Sequence, residues 1–154
     1  KATLEKLQQP QLDNADLVAA KTWWHNIKER HAGDNITWNT PPSDIPPVLA
    51  SLFDSVAENL LQNALNKRQR EPSLKISVIF GVDRNRPCLS VCDNGTAVPP
   101  YRATVLMQEP VNSEDGLGIG LYHAAHQAQG SGYVLNLTEN RPGKVSFTLS
   151  GHPA

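Results

Sequence analysis

Amide and hydroxyl side chains recur at helical spacing in the middle of the sequence. At 100° per residue they project within roughly a third of a helix turn; the residues are Ser55, Asn59, Gln62, Asn63 and Asn66. A solvated helix face usually carries Lys and Glu, and Asn is about 0.6 kcal/mol less favourable than Ala inside a helix. Amide oxygens are hard, neutral ligands that suit Mg²⁺ beside a polyphosphate, where carboxylates would repel the phosphates. The pattern therefore indicates either a metal and triphosphate site or a polar helix that bonds a neighbouring loop.

A second candidate is Asp93, which shares strand parity with Leu89 and Val91. Its carboxylate is predicted to point toward the interior, where it needs a hydrogen-bonding partner. The exocyclic amino group of adenine could be that partner, and Gly95 would let a base approach the backbone. The alternative is an ordinary Asp-Asn-Gly turn.

A third candidate is a run of glycines, Gly116, Gly118 and Gly120, which opens a predicted helix. Free backbone NH groups at a helix N-terminus bind phosphate, and glycine lets the phosphate approach closely. The run is not a Rossmann fingerprint, because Leu121 stands at the third glycine position, and no Walker Lys-Ser/Thr follows. Alone, it is a weak indication of phosphate binding.

Other reactive side chains indicate less. His123 and His126 have no Cys or carboxylate cluster beside them, so the spacing favours packing over a metal site. Cys88 and Cys92 would lie roughly 13 Å apart on one strand, too far for a disulfide. Free thiols favour a reducing cytosol.

The elements that position these residues follow from periodicity and from Pro and Gly. A helix is predicted from about Asp13 to His31, with Asp13, Asn14 and Asp16 as N-cap candidates and an apolar face of Leu17, Ala20, Trp24 and Ile27. A short strand is predicted over residues 36–40, and a long helix from Pro46-Pro47 to about Arg70. Then come two strands joined at Asn85-Arg86-Pro87, a long loop over 96–115, a helix over 117–129, and a hairpin of 133–139 and 144–150.

This order predicts an α/β two-layer sandwich, with three main helices on one face of a mixed, mostly antiparallel five-stranded sheet. The 154 residues suit one domain, with residues 1–12 as a connector and residues 13–154 as the domain. A formal charge of −1, without a long run of either sign, predicts no nucleic-acid or membrane contact. Because the chain begins with Lys1, we expect a piece of a longer protein.

The combination and order of the motifs are more specific than any one of them. Over about residues 12–149, the chain resembles the catalytic domain of bacterial sensor histidine kinases, in the ATPase superfamily that includes gyrase and heat-shock chaperones. Residues 58–64 (ENLLQNA) are similar to the N box of this family, residues 93–95 (DNG) to its G1 box, and residues 116–121 (GLGIGL) to its G2 box.

The resemblance implies that the domain binds ATP and Mg²⁺ and transfers the γ-phosphoryl group to a histidine. It implies catalytic positions at Asn59, Gln62 and Asn63, with Asn63 as the Mg²⁺ ligand, Lys67 as a phosphate contact and Asp93 as the adenine ligand. The loop over 96–115 would be a mobile lid. The full set of implied nucleotide-binding residues is Asn59, Asn63, Asn66, Lys67, Asp93, Gly95, Ala97, Ser113, Gly116, Leu117, Gly118, Ile119, Gly120 and Leu121.

The resemblance also implies partners outside this chain. The acceptor histidine would lie on the protein's own dimerisation domain, upstream of this sequence, and a response regulator would be an indirect partner. The whole protein would be a homodimeric, membrane-anchored sensor with this domain in the cytoplasm.

Several positions depart from the family pattern. Gln62 stands where many relatives carry Glu, and an amide cannot accept a proton at neutral pH. Ala97 replaces the second G1 glycine, and Asn66 takes a place often held by Lys. An active kinase domain and a non-catalytic nucleotide-sensing or interaction module therefore both remain hypotheses.

Overall fold

The computed structural model of the chain describes residues 16–105, 107–108 and 117–152. Within these ranges the strands are β1 (Leu17–Val18), β2 (Ile36–Trp38), β3 (Val48–Leu49), β4 (Ile76–Asp83), β5 (Arg86–Asp93), β6 (Tyr133–Arg141) and β7 (Lys144–Gly151). The helices are α1 (Ala20–Arg30), α2 (Ala50–Arg70), α3 (Pro100–Ala103) and α4 (Leu117–Gly130). No helix in these ranges is long and apolar enough to cross a membrane. The predicted connector, residues 1–12, lies outside them.

Five strands form one sheet in the order β2-β4-β5-β7-β6. β2 runs parallel to β4, and the other neighbours are antiparallel. Alternate residues of the central strands are buried in one core with the apolar stripes of α1, α2 and α4. The predicted α/β two-layer sandwich, with three main helices on one face of a mixed, mostly antiparallel sheet, is therefore confirmed.

An aromatic cluster sets the position of α2 on the sheet. The Phe53 ring lies 5.5 Å from the Trp23 ring of α1 and 5.5 Å from the Tyr133 ring of β6, and Trp23 also meets Phe80 of β4 at 5.3 Å. Such edge-to-face pairs add to the burial of large apolar surfaces. The apolar side of α2 is buried, and it includes Phe53, Ala57, Leu60, Leu61 and Ala64.

The start of the long helix differs from its prediction. Val48 and Leu49 were assigned to the helix after Pro46-Pro47, but they form β3 and pair with Val18 and Leu17 of β1. The helix begins at Ala50 because Leu49 is extended, with φ −74° and ψ 100°. This pairing joins segments about thirty residues apart, so no local periodicity could reveal it.

The start of the first helix was also predicted too early. Leu17 lies in β1 rather than on α1, and Ala19 precedes the helix. Asp16 caps a different helix, because its Oδ1 accepts hydrogen bonds from Ser51 N at 3.3 Å and Ser51 Oγ at 2.8 Å. One free NH group of the first turn of α2 is thereby satisfied.

Both hairpin turns are shorter than predicted. Arg84 and Asn85 make the first turn with φ of 54° and 64°, as a two-residue turn with matching twist requires. Arg86 and Pro87 consequently belong to β5. In the second hairpin β6 extends to Arg141, and Gly143, at φ 89°, completes the turn.

The loop after β5 is attached to the end of α2. Thr96 donates from its backbone N at 3.0 Å and from its Oγ1 at 2.7 Å to the Glu71 carboxylate. The hydroxyl bond is the main cause that holds the pKa of Glu71 below its ordinary value of 4.5. Farther along, the predicted loop contains the short helix α3.

The close crossing of α2 and α4 depends on the glycine at position 120. Asn59 Nδ2 donates to Ser55 O at 2.9 Å, which fixes the Asn59 amide. A Cβ added at Gly120 would lie 2.5 Å from Asn59 Oδ1, whereas one added at Gly130 would meet nothing within 4 Å.

We expect Gly120→Ala to lower the free energy of unfolding by about 1–3 kcal/mol through overpacking, although Ala is the better helix former. Gly130→Ala, in the same helix, is the matched control and should be neutral or slightly stabilising. Urea unfolding of both variants measures the difference. Equal midpoints would show that the glycine at position 120 is not needed for the crossing.

We expect Thr96→Val to raise the pKa of Glu71 toward 4.5, because the variant loses the hydroxyl donor. A lowered folded-state pKa contributes stability above the unfolded value and loses it as pH falls through the folded value. The variant should therefore lose part of the stability difference between about pH 7 and pH 3. NMR titration of the Glu71 carboxyl group tests this, with Thr104→Val as the control; an unmoved titration in Thr96→Val would contradict it.

Candidate functional site

A cavity of about 260 Å³ opens between α2, the sheet and the loop after β5. Its apolar walls come from α2, α4, β5 and β7, and they include Leu60, Ala64, Val91, Leu121, Val145 and Phe147. Its polar lining includes Asn63, Lys67, Arg70, Glu71, Asp93 and Arg102. A flat apolar ring with a polar edge matches such a lining.

Asp93 is the buried acid of this cavity, and its side chain is 10% exposed. Its Oδ1 accepts hydrogen bonds from Lys67 Nζ and from Gly95 N, each at 2.9 Å. The second bond is an Asp turn of the kind that the sequence left open as an alternative. The turn therefore forms, and it forms inside the cavity.

Lys67 lies beside Asp93 and is 14% exposed. Its ammonium also donates to Thr96 O at 2.6 Å. The family resemblance implied a phosphate contact for Lys67, but the two hydrogen-bond partners of its ammonium are Asp93 and Thr96. Direct contact between Lys67 and phosphate remains a prediction.

Gly95 permits the close packing of this segment. A Cβ at Gly95 would collide with Leu74 Cδ1 and would lie 2.6 Å from Glu71 Oε1 and 2.9 Å from Lys67 Cε. Ala97 follows in the lining of the cavity, one residue beyond Thr96.

The amide residues of α2 divide into three positions. Asn63 lines the cavity. Asn59 lies beside Gly120 of α4, with its Oδ1 facing the glycine. Gln62 and Asn66 bond to each other at 3.0 Å on the exposed side. Asn59 is therefore the amide that faces the first turns of α4, and Asn63 is the amide that lines the cavity.

The glycine-rich motif lies partly outside the described residues, which exclude Ser113 and Gly116. Leu117, Gly118 and Ile119 form the first turn of α4. Leu121 is buried and lines the cavity. The N-terminal part of α4 thus reaches the cavity at Leu121 and the α2 amide Asn59 at Gly120.

Three charged residues of the cavity were not singled out in the sequence: Arg70, Glu71 and Arg102. Arg70 and Glu71 follow Lys67 by three and four positions, so helical spacing could have indicated them. Arg102 comes from α3, and the irregular loop sequence gave no signal for it.

The oxygen donors that α2 brings to this region, Asn59 and Asn63, are neutral amides. The described residues contain no group of three His, Cys, Asp or Glu side chains that could hold a metal ion. The Oδ1 of Asn59 faces α4 because its Nδ2 bonds Ser55 O. A neutral oxygen donor set of this kind suits Mg²⁺ that is bound together with a polyphosphate.

The histidines of the described part have packing and hydrogen-bonding roles. His31 bonds Asp34 at 2.7 Å through Nδ1 and Glu58 at 2.9 Å through Nε2. The His126 and Tyr122 rings lie 4.6 Å apart.

A second cavity, of about 470 Å³, lies between α1 and residues 39–47. It is larger, and Trp24, whose buried Nε1 has no hydrogen-bond partner among the described residues, lines it. It contains none of the predicted nucleotide-binding residues. The cavity at Asp93 is the candidate site, because it combines a buried acid, amides and a helix N-terminus.

The sequence matches no protein-family model and no curated protein. Solved structures do match. Full-length ShkA in complex with AMPPNP aligns with 90% of this chain at a TM-score of 0.69 and 16% identity. The chain spans 32% of the length of ShkA.

Two smaller solved structures are covered almost entirely. The catalytic domain of the histidine kinase ThkA, in a nucleotide-free form, aligns at a TM-score of 0.65 and 18% identity, over 86% of this chain and 91% of that one. The mycobacterial sensor histidine kinase MprB aligns at a TM-score of 0.59 and 19% identity. The alignment covers 87% of this chain and 94% of that one. This chain therefore has the fold of the ATP-binding catalytic domains of sensor histidine kinases.

Proposed function

We propose that this chain binds Mg²⁺-ATP and donates the γ-phosphoryl group to a histidine on a separate dimerisation domain, as the catalytic domain of a two-component sensor kinase. The observation that carries the proposal is the cavity itself. It has a buried carboxylate within apolar walls, and it extends to amides beside a glycine-containing helix N-terminus. Full-length ShkA, part of which shares this fold, was solved in complex with AMPPNP, an ATP analogue.

The base would enter between the apolar walls with its amino edge toward Asp93. Val91 and Val145, from neighbouring strands, and Ala64 of α2 supply flat apolar contacts. An amino group of the base would donate to the carboxylate, which is acceptor-only when ionised. The apolar walls would then supply most of the binding affinity, and the hydrogen bond to Asp93 would select the base.

The phosphates would lie toward Asn63, Asn59 and the first turn of α4. Free backbone NH groups of that turn would bind phosphate oxygens. Asn63 would hold Mg²⁺, which would neutralise charge on the β- and γ-phosphates during transfer.

Transfer to a histidine does not require a base at Gln62. The acceptor imidazole is largely neutral at neutral pH and has a lone pair on one ring nitrogen. The protein has to hold the γ-phosphorus in line with that nitrogen and to stabilise the charge on the leaving oxygen. A neutral amide at position 62 is compatible with this chemistry.

A non-catalytic nucleotide-sensing module is the second candidate. The hydrogen bond between Gln62 and Asn66 favours it, because both side chains partner each other on the exposed side. Ala97 also favours the nucleotide-sensing module, because alanine allows the loop fewer backbone conformations than glycine does.

The further partners follow from the proposed activity. The acceptor histidine would lie on the protein's own dimerisation domain, and a response regulator would receive the phosphoryl group in turn. The whole protein would work as a homodimer, with this domain in the cytoplasm.

We expect the chain to bind ATP with Mg²⁺ assistance and to bind GTP more weakly. Asp93→Asn should weaken ATP binding by about 10- to 100-fold, because it replaces a charged acceptor with an amide. Asp83→Asn, on the exposed end of β4, is the control. Isothermal titration with and without Mg²⁺ measures both variants. ATP affinity unaffected by Asp93→Asn would show that this carboxylate does not contact the base.

We expect phosphohistidine to form when the chain is mixed with ATP and the dimerisation domain of its own protein. Asn63→Ala should reduce the rate by at least about 100-fold through loss of the metal ligand. Asn26→Ala, an exposed amide on α1, is the control. Phosphohistidine is measured with labelled ATP. ATP binding without any transfer would favour the nucleotide-sensing module.

A further inference from the structure

The Lys67 ammonium is held inside the candidate site with one hydrogen to spare. An ammonium has three hydrogens to donate, and two of them reach Asp93 Oδ1 at 2.9 Å and Thr96 O at 2.6 Å. Among the described residues, no other acceptor is hydrogen-bonded to it. The third hydrogen is therefore available to a molecule in the cavity that Lys67 lines.

The Asp93 carboxylate likewise has a free hydrogen-bonding position. Its Oδ1 accepts from both Lys67 and Gly95, whereas its Oδ2 accepts no hydrogen bond from the described residues. A donor on Lys67 and an acceptor on Asp93 thus stand side by side, at hydrogen-bonding distance from one another. The Lys67 and Asp93 side chains are only 14% and 10% exposed, so water has limited access to these groups.

We propose that Lys67 is a specificity-determining residue that donates a hydrogen bond to ring nitrogen N1 of a 6-aminopurine. Asp93 would accept from the neighbouring 6-amino group. The inference rests on the proposed nucleotide binding and adds a second contact to the same edge of the base. It replaces the phosphate contact that the family resemblance implied for Lys67, because only one hydrogen of the ammonium is left to donate.

This pair excludes the opposite edge pattern. A 6-oxopurine would bring its carbonyl oxygen to the Asp93 carboxylate and its N1–H to the Lys67 ammonium, so acceptor would face acceptor and donor would face donor. Unpaired buried polar groups are costly. A 4-aminopyrimidine presents the same pattern as adenine, but its smaller ring would leave part of the apolar wall uncovered.

The neighbouring backbone fixes the lysine in this place. Lys67 follows Asn63 by four positions, so both lie on one side of α2. The absence of a side chain at Gly95 makes room for the lysine stem, since a Cβ there would lie 2.9 Å from Lys67 Cε. The Thr96 carbonyl then holds the ammonium from the loop side.

The test compares ATP with 1-deaza-ATP, which keeps the 6-amino group but has C–H in place of N1. The unmodified chain should bind 1-deaza-ATP about tenfold or more weakly, as expected for the loss of a hydrogen bond to a charged group. Lys67→Met should bind the two nucleotides equally, at the weaker affinity. Lys75→Met, an exposed lysine outside the cavity, should retain the difference.

The outcomes separate this inference from the function on which it rests. Equal affinity of the unmodified chain for ATP and 1-deaza-ATP would overturn the role of Lys67 and leave ATP binding in place. No ATP binding at all would overturn both. Because the comparison in the unmodified chain needs no substitution, it can overturn the inference even if Lys67→Met does not fold.

Discussion

The site is organised around one constraint, the burial of the Asp93 carboxylate at the end of β5. A buried carboxylate is costly unless it is paired and hydrogen-bonded. Lys67 and the Gly95 NH group provide that pairing. Each partner needs support of its own: the lysine requires a helix that ends near the strand, and the turn requires a residue without Cβ. The loop, the end of α2 and the strand are therefore coupled through one oxygen atom.

The second requirement is a helix with two different sides. The apolar side of α2 is buried by the aromatic cluster of Trp23, Phe53, Phe80 and Tyr133, and this burial decides which side faces the cavity. Amides on that side weaken the helix itself, because Asn is a poor helix former. Packing in the core supplies the stability that these residues lack. The helix can therefore present Asn59 and Asn63 although its own sequence would form a weak helix in isolation.

Much of this architecture could be predicted from local patterns. Spacing of three and four residues indicated which side of α2 carries the amides, and alternation indicated that Asp93 points the same way as Leu89 and Val91. Contacts between distant segments could not be predicted in this way. Asp16 carries the chemistry of an N-cap, but only the pairing of β1 with β3 brings it to Ser51. The position of Lys67 on its helix could be predicted from the sequence. Its pairing with Asp93 could not, because it depends on a loop about thirty residues away.

The charges of the site are distributed unequally, and this bears on its chemistry. The Asp93 end holds an ion pair, and Arg70, Glu71 and Arg102 are also in the lining, while the amides of α2 are neutral. A triphosphate with its metal ion needs donors that add no negative charge, so neutral oxygens suit that end. The base is uncharged and gains instead from fixed acceptors and donors. A row of carboxylates at the phosphate-binding end would repel the phosphates. The division of the cavity therefore favours a ligand with a neutral ring at one end and an anionic chain at the other.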